Sequence, residues 1–123
     1  MGKKELTKNE KLDILIPKTM SVLYDTVQKS MPEKGTFRKL FVFFEYPETK
    51  YEGILWVEPN LTGQEGNGRL VSGMRQTGSD RVVQHYMMAG AKAEIMEWLG
   101  NDRNISALQS DYEQLKRSVD RFD

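Results

Sequence analysis

The sequence has no cysteine and a single histidine among its 123 residues. Without cysteine there are no disulfides, no thiolate metal sites and no cysteine nucleophile. With His85 as the only histidine, a zinc site lacks its usual ligands, and no metal or other cofactor is expected. Long apolar runs are missing as well. The longest, Leu40 to Phe44, is far short of the roughly 20 residues needed to cross a bilayer. The start, MGKKELTKNEK, is basic but has no apolar segment behind it, so it does not read as a signal peptide. Leu6 occupies the position where myristoylation of Gly2 favours Ser or Thr.

Net charge is also absent, with 18 Lys plus Arg against 18 Asp plus Glu. Residues 1–30 hold six lysines and four acids, and residues 91–123 hold five bases and seven acids, so neither end is a polybasic arm or an acidic tail. Nothing draws the chain as a whole to nucleic acid or to an anionic membrane, and neither is expected as a partner. The expectation is one soluble, cytoplasmic domain spanning residues 1–123, large enough to build a core without staples.

Several local patterns stand out. Thr7-Lys8-Asn9-Glu10 fits a capping box with Thr7 as N-cap. Met20, Leu23, Val27 and Met31 recur at helical spacing after Pro17, which predicts an amphipathic helix, kinked or restarted at the proline and ended before Pro32. The stretch RKLFVFFEYPETKYEGILWVEP, Arg38 to Pro59, reads as two strands around the loop Pro47–Lys50. That loop pairs Glu45 with Glu52, Phe43 with Ile54 and Phe41 with Trp56, and it places Gly53 opposite Phe44, leaving room for a ring. Both faces of this hairpin are apolar, so either helices cover both or one face awaits another protein. Core burial under a helix is the default expectation for Phe41 and Phe43.

A long polar loop, Pro59–Gly68, leads to a second hairpin turned at Gly78-Ser79. Its predicted pairs are Met74 with Val83, Ser72 with His85 and Leu70 with Met87. Ala91, Ile95, Trp98 and Leu99 form one helical face, ended by Gly100-Asn101. Ile105, Leu108, Tyr112, Leu115, Val119 and Phe122 form the clearest seam in the chain, with Asp102 or Asn104 as the expected cap. The predicted fold is α+β: one N-terminal helix, a four-stranded antiparallel meander sheet, and two C-terminal helices that pack on it.

Signs of chemistry are few. His85 faces Ser72 on a mostly apolar face, which suits a hydrogen-bonded histidine at the edge of the core; catalysis would require a nucleophile or carboxylate beside it. Glu45 opposite Glu52 admits three readings. Both point into solvent beside a Lys or Arg such as Lys50 or Arg38; or they form a partner-facing acidic patch; or they split their pKa values as an acid/base pair. GQEGNG has glycine spacing like a phosphate cradle, but a strand rather than a helix follows it. Asn60-Leu61-Thr62 matches a glycosylation sequon that a cytoplasmic chain would not use. No catalytic residue is assigned.

The strand ending VVQHYMMAG (Val82–Gly90), the short helix AKAEIMEWLGN (Ala91–Asn101) and the final NISALQSDYEQLKRSVDRF (Asn104–Phe122) complete a layout that resembles small immunity proteins of bacterial polymorphic-toxin systems, including contact-dependent growth inhibition. The resemblance implies a non-enzymatic inhibitor that binds a cognate toxin protein; against a nuclease toxin, the acids would mimic the phosphates of its substrate. Expected partner-binding residues are Glu45, Tyr46, Glu48, Glu52, Trp56 and Glu58, with Trp56 as an anchor. The alternatives are a small adaptor or regulatory subunit and, further off, a carboxylate-based hydrolase. Oligomeric state is left open.

Overall fold

The computed structural model describes residues 5–60 and 66–121. The centre of the polar loop, with half of the GQEGNG stretch and two of the three sequon residues, lies outside the described residues, as do Phe122, Asp123 and the first four residues. Helix α1 spans Lys8–Ser30 and opens on the expected capping box: Thr7 Oγ1 accepts from the Glu10 N–H (3.2 Å), and the Thr7 N–H donates to Glu10 Oε1 (3.0 Å). Pro17 lies inside this helix without ending it. Its lost hydrogen bond is offset by burial on both sides, with Leu12 and Ile16 before it and Met20, Leu23 and Val27 after it. The helix stops at Ser30 because Met31, forced away from helical backbone by Pro32, is extended (φ −90°, ψ 121°).

Four strands follow, β1 (Leu40–Glu45), β2 (Tyr51–Pro59), β3 (Asn67–Gln76) and β4 (Val83–Ala91), then α2 (Lys92–Leu99) and α3 (Asn104–Asp120). The strands form one antiparallel sheet in the order β1-β2-β3-β4, so the predicted α+β meander is the observed architecture. In the first hairpin Glu45 pairs with Glu52, Phe43 with Ile54, Phe41 with Trp56 and Phe44 with Gly53, as the loop length requires.

The second hairpin departs from expectation twice. The Ser79 N–H donates to the Gln76 carbonyl (2.9 Å), so Thr77 and Gly78 are the central turn residues. Gly78, at φ 85°, therefore sits second in the turn rather than first. A register shift between Leu70 and Val71 puts Leu70 opposite Met88 rather than Met87. The bulge inserts one residue into β4, and sequence alternation alone cannot place it. Met74–Val83 and Ser72–His85 pair as expected.

All three helices feed one core on one face of the sheet. Leu23 and Val27 of α1, Ile95 and Leu99 of α2, and Leu108, Tyr112, Leu115 and Val119 of α3 meet Phe44, Leu55, Val57, Leu70 and Met74. Phe44 lies flat over Gly53, where a Cβ would penetrate its ring. Tyr112 meets that ring edge-on with centroids 5.1 Å apart and donates its hydroxyl to the Ile54 carbonyl (2.7 Å). Neither Asp102 nor Asn104 caps α3 with its side chain. Asn104 instead donates to the Trp98 carbonyl (2.8 Å), and Asn101 accepts from the Arg103 N–H (3.0 Å), so the turn between the helices absorbs the polar groups expected at the cap. No described helix is long and apolar enough to cross a membrane.

Candidate functional site: the open sheet face

Strand alternation sends every second side chain to the face that no described helix covers. A small second cluster, Ile54, Trp56 and Val71, is buried there beneath neighbouring side chains. Phe41 and Phe43 are 47% and 49% exposed, and Tyr86 is 52% exposed. The default expectation for the two phenylalanines was burial under a helix. They are instead stacked on the open face, 5.8 Å apart, because their parity in β1 is opposite to that of Val42 and Phe44, which face α1. The sheet therefore answers the hairpin's double greasiness with one covered face and one open one.

The open face has an internal order. Trp56 lies flat across β3, made possible by Gly73, where a Cβ would stand 2.6 Å from the indole. Its Nε1–H donates to Glu58 Oε1 (2.8 Å), and Glu58 Oε2 pairs with Arg69 (2.8 Å). Glu52 pairs with Arg75 (3.0 Å). Both arginines also lie over rings, Arg69 over Tyr86 (5.0 Å) and Arg75 over Phe43 (5.5 Å), while Lys39 lies over Trp56 (6.0 Å). The result is a half-dry plate of aromatic rings with arginine–glutamate pairs set between them.

The residues expected to bind a partner are not all on this plate. Glu45, Glu52, Trp56 and Glu58 are; Glu48 is exposed at the tip of the turn, in left-handed backbone (φ 63°). Trp56 is only 4% exposed, so it forms the floor of the face rather than a protruding anchor. Tyr46 lies on the opposite face in the helix-covered core, wholly buried, with Lys8 over its ring (5.1 Å). Burial first, and the neighbouring Glu113 carboxylate second, push the Tyr46 pKa above the usual tyrosine range. The acids are not an unscreened patch either. Glu52 and Glu58 are neutralised by Arg75 and Arg69 of β3, not by the nearby Lys50 and Arg38, which leaves Glu45 and Glu48 as the acids to which no described residue is paired. Cross-strand pairing brought these arginines into place: Glu52 sits opposite Arg75 and Glu58 opposite Arg69.

One polar cluster lies under the helices. His85 Nδ1 is 2.8 Å from Asp111 Oδ1, and the Ser72 hydroxyl donates to Asp111 Oδ2. Ser72 and Asp111 are buried, while the imidazole is 61% exposed. His85 is thus at the edge of the core, as expected, but its partner is a carboxylate that sequence reasoning left among the charged flanks of α3. The only clue was that position 111 sits on the seam, three after Leu108 and four before Leu115. A serine, a histidine and an aspartate meet here in the wrong order for nucleophilic catalysis. The carboxylate stands between the other two, so the hydroxyl has no imidazole to take its proton. What the cluster does is satisfy buried polar groups and tie α3 to β3 and β4. Among the described residues no three His, Asp or Glu side chains gather as metal ligands.

No family model, curated protein or solved structure matches the chain.

Proposed function

We propose that the chain is a protein-binding module whose contact surface is the open sheet face, and that it works as a cytoplasmic immunity protein neutralising a cognate toxin domain. The observation that carries the binding reading is the exposed trio Phe41, Phe43 and Tyr86 on a face that no described helix covers. Large rings on a flat, partly dry surface are the usual anchors of protein interfaces, and folded monomers seldom leave such a patch without a use. Aromatics beside arginines also suit single-stranded nucleic acid. Charge argues against that partner: Lys39, Arg69 and Arg75 face Glu45, Glu52 and Glu58, and both arginines are already committed to glutamates, so phosphates gain little.

The toxin reading rests on the resemblance of the layout to immunity proteins. Glu45 and Glu48, which pair with no described residue of their own chain, are the acids placed to steer a basic nuclease toxin, and the plate behind them supplies the contact area. A small adaptor would use the same surface for a different partner. The test is co-expression with a candidate toxin domain, taken from a gene lying next to this one, with growth as the readout and titration of the purified pair as the control. Wild type should protect, and a folded Phe41→Ala/Tyr86→Ala variant should lose protection and bind at least tenfold more weakly, as expected for two ring truncations at about 1–2 kcal/mol each. Full protection by that variant would move the interface off this face. Binding without any protection would favour the adaptor.

A further inference from the structure

Among the described residues β1 is an edge strand to which no further strand is paired. The other edge, β4, carries the bulge, a common way of blunting an edge. β1 has no bulge, no proline and no charge among its first five residues. The Tyr46 N–H donates to the Tyr51 carbonyl (3.0 Å), which fixes the parity of the ladder. Phe44, Val42 and Leu40 turn their backbone groups towards β2, and Phe41, Phe43 and Glu45 turn theirs out. A groove of about 810 Å³ runs beside this edge, between β1 and α1, lined by Leu15, Lys18, Val22, Val42 and Phe44.

We infer that this edge is a homodimer interface, with β1 pairing antiparallel to β1 of a second copy about a two-fold axis through Val42. The segment Lys39-Leu-Phe-Val-Phe-Phe-Glu45 is complementary to itself in this one register. Lys39 falls opposite Glu45 of the second copy, and Phe41 opposite Phe43 of the second copy, each pair twice by symmetry. All four are odd-numbered residues, the ones whose backbone groups face outward, so the pairing completes open hydrogen bonds and breaks none in the β1–β2 ladder. Moving the register by two residues would set Glu45 against Phe41, or Lys39 against Phe43, and lose the charge match.

The helical layer agrees. Lys8 lies over Tyr46, just past the end of β1, and the Gln28 carbonyl accepts from Lys92 at the end of the sheet where β4 finishes and β1 begins, so α1 runs antiparallel to β1, and exposed Val22 lines the groove together with Val42. Lys18 and Asp25, on the same helical stripe either side of Val22, then face each other across the two copies. The pair would join two sheets into one of eight strands and continue the aromatic row of the open face from one copy into the next. The inference does not depend on what that face binds, and a monomer that still binds its partner would overturn only the dimer.

The test is a charge swap read by sedimentation. Wild type is expected to sediment at twice the 14.2 kDa chain mass at high micromolar concentration. Lys39→Glu alone and Glu45→Lys alone each put like charges opposite one another twice, and each should raise the dimer dissociation constant about tenfold. The double variant Lys39→Glu/Glu45→Lys restores opposite charges and should recover wild-type association. A wild type that is monomeric throughout, singles that match it, or a double no better than the singles overturns the inference, and so does a mass that keeps climbing with concentration. Amide exchange provides a check that needs no substitution. The outward N–H groups of Phe41, Phe43 and Glu45 should be protected in concentrated protein and exposed in dilute protein, and protection independent of concentration would refute the pairing.

Discussion

Replacing His85 by alanine should destabilise the fold well beyond what its exposure suggests. A side chain that is 61% exposed buries little apolar surface, and truncation at such positions usually changes stability by no more than about 0.5 kcal/mol. His85 is different because of what it leaves behind. Asp111 is 8% exposed and holds two partners among the described residues, the imidazole and the Ser72 hydroxyl. Without the imidazole, one oxygen of a nearly buried carboxylate loses its donor, a cost of about 1–3 kcal/mol. Against a typical domain stability of about 5–15 kcal/mol, that shift is readily seen in the urea midpoint. A cycle identifies the cause. Ser72→Ala/Asp111→Leu removes the carboxylate and the hydroxyl that needs it, and fills a seam position between Leu108 and Leu115 with an apolar side chain. In that background His85→Ala should cost almost nothing, and the apolar pair itself should be near neutral. If His85→Ala stays within about 0.5 kcal/mol of the parent, or costs as much in the apolar background, the buried carboxylate does not depend on His85 and the reasoning fails.

Leu115→Ala, in the middle of the α3 seam and 5% exposed, should cost about 2–5 kcal/mol by urea denaturation; a loss under about 0.5 kcal/mol would mean that α3 does not cover the sheet as described. Gly53→Ala forces the Phe44 ring off β2 and should cost about 1–3 kcal/mol, and pairing it with Phe44→Leu should recover part of that loss. Stability should also fall on acidification. Burial would raise the Glu113 pKa, but the Lys8 ammonium, 2.8 Å from its carboxylate, outweighs it and holds the carboxyl below its ordinary value, and Tyr51 and then Lys116 do the same for Asp120. A lowered folded-state pKa gives stability that is present above the ordinary carboxylate range and lost as pH falls through the lowered values. Lys8→Met should therefore narrow the gap between neutral and acid midpoints, and an unchanged gap would remove Lys8 from that account.

Much of the fold was legible because two rules act over short distances. The four-residue loop Pro47–Lys50 sets the register of the first hairpin, and register sets which side chains share a face, so the pairs of Phe41, Phe43 and Glu45 followed from counting. The α3 seam followed from spacing alone. What counting could not supply was contact across strands joined by long connections. Arg69 and Arg75 reach Glu58 and Glu52 only once β3 has paired with β2, and a polar loop of unreadable geometry separates those strands. The side to which the helices would go was also hidden, since both faces of the first hairpin are apolar; this is why Phe41 and Phe43 were expected inside. Tyr46 was expected among the partner-binding residues, although its even parity puts it with Phe44 in the core. Asp111 escaped notice because one acid beside a seam resembles the solvated residues around it until Ser72 and His85 arrive from another layer.

The two glycines under rings carry a consequence for descent. Gly53 makes room for Phe44 on the covered face, and Gly73, opposite Ile54 on the next strand, makes room for Trp56 on the open face. Each glycine is tied to one ring, and neither glycine can gain a side chain while its ring stays in place. A lineage that gained a side chain at position 73 would have to move or give up the indole at 56, and with it the ring against which Phe41 packs. Ancestral variation should therefore come in linked steps at 53 with 44 and at 73 with 56, while the exposed rings above them remain free to change with whatever they meet.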